Sequence, residues 1–309
     1  MRIALLFAGQ GAQYTGMGLS LFEASPAARA VFFMADKLRK GTSAQCFYAP
    51  KEELFQTVNT QPCVFTVGLA AARALEEHGI MPYAVAGFSL GEIAALTFAG
   101  AFTEEEGFDL VMKRAALMQT EAERTPSSMA AVLKLDAAEV EALCGSMQGV
   151  YPVNYNCPGQ TVVAGEKEAL KAFCTKVAEQ NGRTIGLNVS GGFHSPFMEH
   201  AAHTLLTELS FYPFRAPQIP VFANATALPY AEPFKETLAM QVKSPVLFQK
   251  TVEALLKQGV DTFIEAGPGK TLCGLVEKIA PELEKVYSVQ DGQSLFGTLA
   301  ALKAGEGHA

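Results

Sequence analysis

No basic run longer than two residues occurs in this 309-residue chain, and its formal net charge is −7. An acidic protein without a lysine or arginine stripe is not built to follow a phosphate backbone, which argues against nucleic-acid binding. The six cysteines (46, 63, 144, 157, 174 and 273) are scattered and form no C-x-x-C pair, so they read as free thiols in a reducing compartment. The apolar segments are too short or too interrupted to cross a bilayer. The opening run RIALLFAG carries one arginine and no cleavage-site pattern. The expectation is a cytoplasmic protein with no membrane or nucleic-acid partner, working as a monomer. Neither G-x-x-x-x-G-K-[ST] nor G-x-G-x-x-G is present after the first strand, which removes the phosphate-loop and dinucleotide readings.

Hydrophobic residues make up 49% of the chain and charged residues 18%, enough apolar material for one large domain or two smaller ones. Residues 2–8 and 83–88 are continuous apolar runs followed by turn signals, as expected of buried parallel strands. A helical pattern over 62–79 lies between them and ends at a glycine. Strand and helix alternate, so an α/β sheet is predicted. The rhythm then changes. MAAVLKL (129–135) reads as a strand and DAAEVEALCGSM as a helix opened by Asp136. YPVNYN and TVVAGE read as strands joined by the turn CPGQ, KEALKAFCTKVAEQNG as a helix closed by Gly182, and RTIGLNVS as a last strand. That β-α-β-β-α-β order predicts a small ferredoxin-like domain over 127–193, inserted into a larger α/β-hydrolase-like domain made of 1–126 and 194–309. Further strands are expected near 219–223 and 260–265. A cleft between two such domains is a favoured binding place.

The chemistry starts in AVAGFSLGEIAAL, residues 84–96. Ser89 stands where a strand turns sharply into a helix, with Gly87 and Gly91 two residues to either side. Small flanking residues permit that turn, and the G-x-S-x-G pattern exposes the hydroxyl while aiming the Leu90 N–H at the same point. The same pattern also fits a plain helix-capping serine. A nucleophilic serine needs a base. Of five histidines, His308 lies in the AGEGHA tail, His78 closes a helix, and His200 and His203 fall on a charged helix. His194, in GGFHSP, lies on a loop at the predicted cleft and is the chosen base. The three clustered histidines match no metal-ligand spacing. The glycines of FAGQGAQ let backbone N–H groups approach a ligand and join that of Leu90 in an oxyanion hole. Arg114 falls inside the apolar arc of its helix, between Leu110 and Met118. A cation there either pairs with a core carboxylate or forks a bound anion, and both readings stand.

Taken together, GFSLGE, GGFHS, FAGQGAQ, Arg114, NYNCPGQTVVAG, QVKSPVLF and EAGPGKTL closely resemble the malonyl-CoA:acyl-carrier-protein transacylases of fatty-acid synthesis, nearly end to end. The resemblance implies ping-pong acyl transfer with malonyl-CoA and acyl carrier protein as partners. The coenzyme A thioester and the phosphopantetheinyl carrier are substrates, and no cofactor is expected. It implies that Ser89 takes the malonyl group and that His194 is base and acid, oriented by the backbone carbonyl of Gln241. It further implies that the amides of Gln10 and Leu90 hold the oxyanion and that Arg114 binds the malonyl carboxylate. Phe193 goes with malonyl over methylmalonyl in related acyltransferases. Met118 and Asn156 complete the expected substrate-binding set. The chain departs from the family at Phe88, where histidine is usual, and at Ala8 and Ala12, where proline and serine are usual. Phe88 removes any polar contact that histidine makes.

Three rivals share these residues. An acyl hydrolase or thioesterase would use the same serine and histidine, but has no job for Arg114. A carrier-binding module without catalysis leaves Ser89 and His194 idle. A transacylase of a polyketide or malonate-decarboxylating pathway differs only in where the malonyl group goes.

Overall fold

The structure is a computed structural model and describes residues 1–306. Among the described residues nine strands fall into two sheets. The larger comprises β1 (Ile3–Phe7), β2 (Ala84–Gly87), β7 (Val221–Phe222), β8 (Thr262–Ala266) and β9 (Val286–Val289), in the order β7-β2-β1-β8-β9. Every pairing in it is parallel. β1, β2 and β8 are buried along their whole length, which is why they read as apolar runs without alternation. Ile3, Leu5 and Phe7 point into the main core, whereas Ala4 and Leu6 meet Phe248, Val252 and Phe263 on the opposite face.

The second sheet holds β3 (Ser127–Leu133), β4 (Val150–Cys157), β5 (Gln160–Glu166) and β6 (Arg183–Gly186), all antiparallel, in the order β4-β5-β3-β6. Helices Ala137–Gly145 and Lys167–Glu179 make the two crossovers, so order and connectivity are those of the ferredoxin-like arrangement. Asp136 opens the first helix in a reciprocal capping box with Glu139. Ala130, Val132, Val140, Leu143, Phe173 and Val177 form this sheet's own core, and Met129, Ala131, Val162 and Ala164 pack into the main core from its other face.

Several local expectations shift. The turn read as CPGQ is only Pro158–Gly159, because Gly159 at φ 71° lets Cys157 and Gln160 pair directly. Asn181, not Gly182, takes the left-handed position after the helix Lys167–Glu179, at φ 60°. β6 stops at Gly186 instead of running to Ser190, since pairing with β3 ends there. The helix expected over 62–79 runs Thr57–Glu77 and carries Pro62 inside it. β9 had no expectation at all. Among the described residues no helix is long and apolar enough to cross a membrane.

The chain runs outward from β1 to β2 and β7 on one side of the sheet, then to β8 and β9 on the other. β1 is therefore beside the switch point, where parallel α/β sheets open a crevice at their carboxyl ends. The loops after β1 and β2 meet there at glycine contacts with no room for a side chain. A Cβ on Gly87 would overlap the backbone of Gly91, and one on Gly91 would overlap the carbonyl of Phe7. Gly87→Ala is therefore expected to destabilise the fold by about 4 kcal/mol or more. By contrast Gly297→Ala, in the helix Gly292–Glu306 with open space around it, should stabilise by roughly 0.5–1 kcal/mol. Urea denaturation midpoints measure both, and equal midpoints for the two variants would contradict the close approach at the elbow.

Candidate active site

Ser89 follows β2 directly and sits at φ 53°, a left-handed conformation that a residue with a side chain adopts only when held. Four groups hold it. The Ser89 amide donates to Asn224 Oδ1 at 2.7 Å, and its carbonyl accepts from Gln241 Nε2 at 2.6 Å. Its hydroxyl lies 2.7 Å from His194 Nε2 and accepts from an Arg114 terminal nitrogen at 3.0 Å. The helix Gly91–Phe98 starts immediately beyond. Among the described residues, neither the Leu90 nor the Gln10 amide donates a hydrogen bond to protein. Gly9 brings the Gln10 loop onto the elbow, since a Cβ there would be 2.5 Å from the Phe88 carbonyl oxygen.

His194 reaches the same point from 105 residues further along the chain. Gly191 packs against Ala122, and the Gly192 amide donates to Ser127 Oγ at 2.7 Å, which fixes the loop entering the histidine. His194 itself is left-handed, at φ 62°. Its Nδ1 is 2.9 Å from the Gln241 carbonyl. A carbonyl only accepts, so Nδ1 carries the proton and Nε2 offers a lone pair to Ser89. Burial, then the positive charge of Arg114, pushes the imidazole down to about 4. It is therefore neutral, as a base must be, at ordinary pH. Of the other histidines, His78 is a helix C-cap, His200 is exposed on the helix Glu199–Leu209, and His203 is exposed and pairs with Glu199 at 2.9 Å. His308 lies outside the described residues.

Arg114 is 1% exposed in the middle of the helix Glu104–Arg124, so the side chain is taken fully out of water. Its partners are neutral: one terminal nitrogen donates to Gln61 Oε1 at 2.8 Å, and the other to Gln241 Oε1 at 2.9 Å as well as to Ser89. Its Nε has no partner. Among the described residues no carboxylate lies within salt-bridge distance of it. Glu92, fully buried nearby, acts on it only through space. Burial pulls the guanidinium down to about 10, which leaves it charged at pH 7, and pushes the Glu92 carboxyl up to about 7. The core-ion-pair reading of Arg114 thus finds no carboxylate in contact.

A cavity of about 230 Å³ opens between the two sheets beside this cluster. Gln10, Phe88, Glu265 and Leu272 line it from one side, Ala131, Asn154, Asn156 and Val162 from the other. Asn156 and Asn154 each keep a buried carboxamide oxygen without a partner. Phe88 rests on Phe248 with ring centroids 5.6 Å apart, so the wall at that place is apolar. Met118 is buried and lies 3.5 Å from Gln61 Nε2, which ties it to Arg114 through Gln61. Phe193 is buried next to His194. Ser89, His194, Gln241 and Arg114 are in direct contact, Gln10 and Asn156 share the cavity, and Met118 and Phe193 flank the cluster. The sequence reading missed Gln61, Asn224, Glu92 and the side chain of Gln241. A buried glutamine before Pro62 in an apolar helix was the available signal for Gln61. Among the described residues no group of three or more metal-ligating side chains occurs.

Chemically the cluster offers a hydroxyl, a neutral acceptor for its proton, two free amides and a fixed positive charge in one dry place. Residues 4–294 match the family described as the acyl transferase domain. The malonyl CoA-acyl carrier protein transacylase of Bacillus subtilis (strain 168) is 38% identical over 311 residues, covering 98% of each chain. That of Staphylococcus aureus (strain MSSA476) is 34% identical over 304 residues, 96% of this chain and 98% of its own. The crystal structure of malonyl CoA-acyl carrier protein transacylase from Clostridium perfringens superposes with a TM-score of 0.95 at 38% identity, covering 99% of this chain and 98% of its own. A malonyl-transacylase solved in complex with a type II PKS acyl-carrier protein gives 0.93 at 34% identity, covering 97% and 100%.

His194 generates a pH prediction. Its folded value lies below the ordinary imidazole value of about 6.5, so between the two the unfolded chain binds a proton that the folded chain does not. Stability from this group is complete above about 6.5 and is lost as the pH falls towards 4. NMR titration of the imidazole should show it neutral down to about pH 4. In Arg114→Ala the titration should move up, but only part of the way, because burial is the larger cause. A wild-type midpoint at the ordinary value would contradict the buried, cation-facing imidazole.

Proposed function

The chain belongs to the acyl transferase family, among its malonyl-CoA:acyl-carrier-protein transacylases, and we propose that Ser89 carries the malonyl group between the two thiols. The observation that supports this most is the buried Arg114, a guanidinium with an unpartnered Nε whose terminal nitrogen touches the Ser89 hydroxyl. An acyl chain that ends in a carboxylate supplies the anion that this site lacks.

In the first half-reaction His194 Nε2 takes the Ser89 proton as Oγ attacks the thioester carbon of malonyl-CoA. The carbonyl oxygen becomes an oxyanion between the amides of Gln10 and Leu90, donors that need no reorganisation as charge develops. The carbon–sulfur bond then breaks, and coenzyme A leaves as a thiol with the proton from His194. In the second half-reaction His194 deprotonates the carrier's phosphopantetheine thiol, which attacks the malonyl-serine ester, and the proton returns to Ser89 Oγ. The Gln241 carbonyl keeps the imidazole in the required tautomer throughout. The malonyl carboxylate takes the Arg114 Nε and a terminal nitrogen as a fork, held from behind by Gln61 and bounded by Met118 and Phe193. Gln10 and Asn156 face the arm of either thiol along the cavity. Residues 1–126 and 194–309 are assigned to the catalytic unit and 127–193 to an inserted one, a division supported by the two separate sheets. The carrier is assigned to fatty-acid synthesis.

Intact-mass analysis tests the covalent step. Malonyl-CoA should add one malonyl mass, Ser89→Ala should show none, and carrier protein should discharge the adduct faster than water does. Discharge by water at the same rate would make the enzyme a hydrolase. The arginine separates the two further. Arg114→Ala should lower malonyl transfer at least tenfold, as charge-assisted hydrogen bonds are worth about 1.5–3 kcal/mol. Acetyl transfer should fall less or rise, and Arg114→Lys should restore malonyl transfer only in part, since an ammonium cannot reproduce the fork. Equal losses for malonyl and acetyl would show that the arginine does not read the acyl carboxylate.

A further inference from the structure

One side chain outside the acyl-transfer scheme grips, at two points, the backbone that leads into the nucleophile. Asn224, just beyond β7, donates from Nδ2 to the Gly87 carbonyl at 2.6 Å and accepts from the Ser89 amide on Oδ1 at 2.7 Å. Its own amide donates to Glu92 Oε2 at 2.6 Å, and the other Glu92 oxygen accepts from the Tyr230 hydroxyl. The Tyr230 amide returns to the Val221 carbonyl in β7 at 2.7 Å. Asn224 and Glu92 are 2% and 0% exposed.

The bland reading of Glu92 is an acidic residue in the first turn of a helix, complementing its dipole. Its bonds go elsewhere. Both oxygens are taken by the Asn224–Tyr230 segment across the elbow, a buried arrangement that a surface carboxylate in the same turn would not need.

The demand for such a grip follows from the reaction. In the resting enzyme the Ser89 hydroxyl is held by His194 and Arg114, but acylation turns that oxygen into an ester and takes away its proton. Arg114 then turns to the acyl carboxylate. What still holds residue 89 in its left-handed conformation is the backbone: Asn224 at the Gly87 carbonyl and the Ser89 amide, and Gln241 at the Ser89 carbonyl. Loss of that conformation moves both Oγ and the Leu90 amide, and misplacement by about 1 Å can cost 10²-fold in rate.

We propose that Asn224, braced by Glu92 and Tyr230, is a positioning residue for both half-reactions, fixing the elbow so that Ser89 Oγ and the Leu90 amide converge on one carbonyl. This rests on Ser89 being the nucleophile. Neither Asn224 nor Glu92 touches substrate, so their effect falls on rate constants and not on saturation.

Rapid-quench mass analysis of malonyl-enzyme formation, and of its discharge to carrier protein, tests this with Asn224→Ala, Glu92→Gln, Tyr230→Phe and Ser89→Ala. Asn224→Ala and Glu92→Gln should slow both steps by about 10- to 100-fold, with half-saturating malonyl-CoA unchanged within about twofold. The Asn224→Ala/Glu92→Gln double variant should be no slower than the slower single one, since the two act along one chain of bonds. Tyr230→Phe, which keeps the ring's packing, should give a smaller loss in the same two steps and covers the case that Glu92→Gln does not fold. Unchanged rate constants in Asn224→Ala and Tyr230→Phe, alongside lowered thermal stability, would make the network purely structural and overturn the proposal. A raised half-saturation with unchanged rates would overturn it too. Full adduct formation in Ser89→Ala overturns the nucleophile reading together with this one, whereas a dead Ser89→Ala beside a fully active Asn224→Ala overturns this one alone.

Discussion

A guanidinium that no carboxylate touches lies in the interior of this protein, and the site is arranged around it. Taking an ion out of water costs several kcal/mol even after relaxation, and a single partner removed from a buried pair costs about 3–5 kcal/mol. Arg114 meets that cost by donating hydrogen bonds to two carboxamide oxygens and a hydroxyl, none of which cancels its charge. The charge therefore remains in force at Ser89. It adds to burial, the larger cause, in depressing His194, which is thus kept neutral, and it joins the hydrogen bonds from Tyr230 and Asn224 in favouring the Glu92 carboxylate against burial. In a dry place such a field is far stronger than in water, and it is fixed before any substrate arrives.

Holding that field on target is the work of the scaffold. Loops after β1 and β2 meet at the switch point of the parallel sheet, where glycines let one backbone rest on another. Ser89 and His194 both occupy left-handed conformations, and each such residue costs of order 1–3 kcal/mol. These costs recur where function demands a geometry that an unstrained chain would not choose. Ser127, Gly192, Asn224 and Gln241 hold the two strained residues through side chains or backbone rather than through packing alone. The second sheet contributes the far wall of the cavity, so the proposed path of the thiol arm is walled on both sides.

Much of this was legible because it is local. Parallel strands buried on both faces read as unbroken apolar runs, the capping box at Asp136 is a four-residue signal, and the elbow is written in two glycines. The apolar arc around Arg114 was likewise local, and it exposed the conflict between a charge and its surroundings. What the sequence could not show is long-range. Nothing in the neighbourhoods of Gln61 and Asn224 says that they meet Arg114 and Ser89, 53 and 135 residues away, and Gln241 was expected for its carbonyl alone, not for the side chain that reaches Arg114 across 127 residues. The ends of elements failed for a different reason. β6 stops where its partner stops, and Asn181 displaces glycine at a left-handed position because its short side chain tolerates that conformation.

The choice of amides around the arginine bears directly on selectivity. A glutamate at position 61 or 241 would form a buried ion pair with Arg114, and the malonyl carboxylate would then have to displace an anion of its own kind. Glutamine satisfies the guanidinium in the resting enzyme while leaving the net charge unmet, so an incoming carboxylate gains the full electrostatic attraction. In the proposed binding mode it also fills Nε, which has no partner in the protein. A neutral acyl group gains neither. In the proposed acyl-enzyme the Arg114 fork would hold the acyl chain at its far end and the two amides would hold it at the ester, setting its orientation at two points. An acyl-enzyme so held is poised for attack by a thiol arriving along the cavity, while water, which gains nothing from the arginine, has no comparable guide.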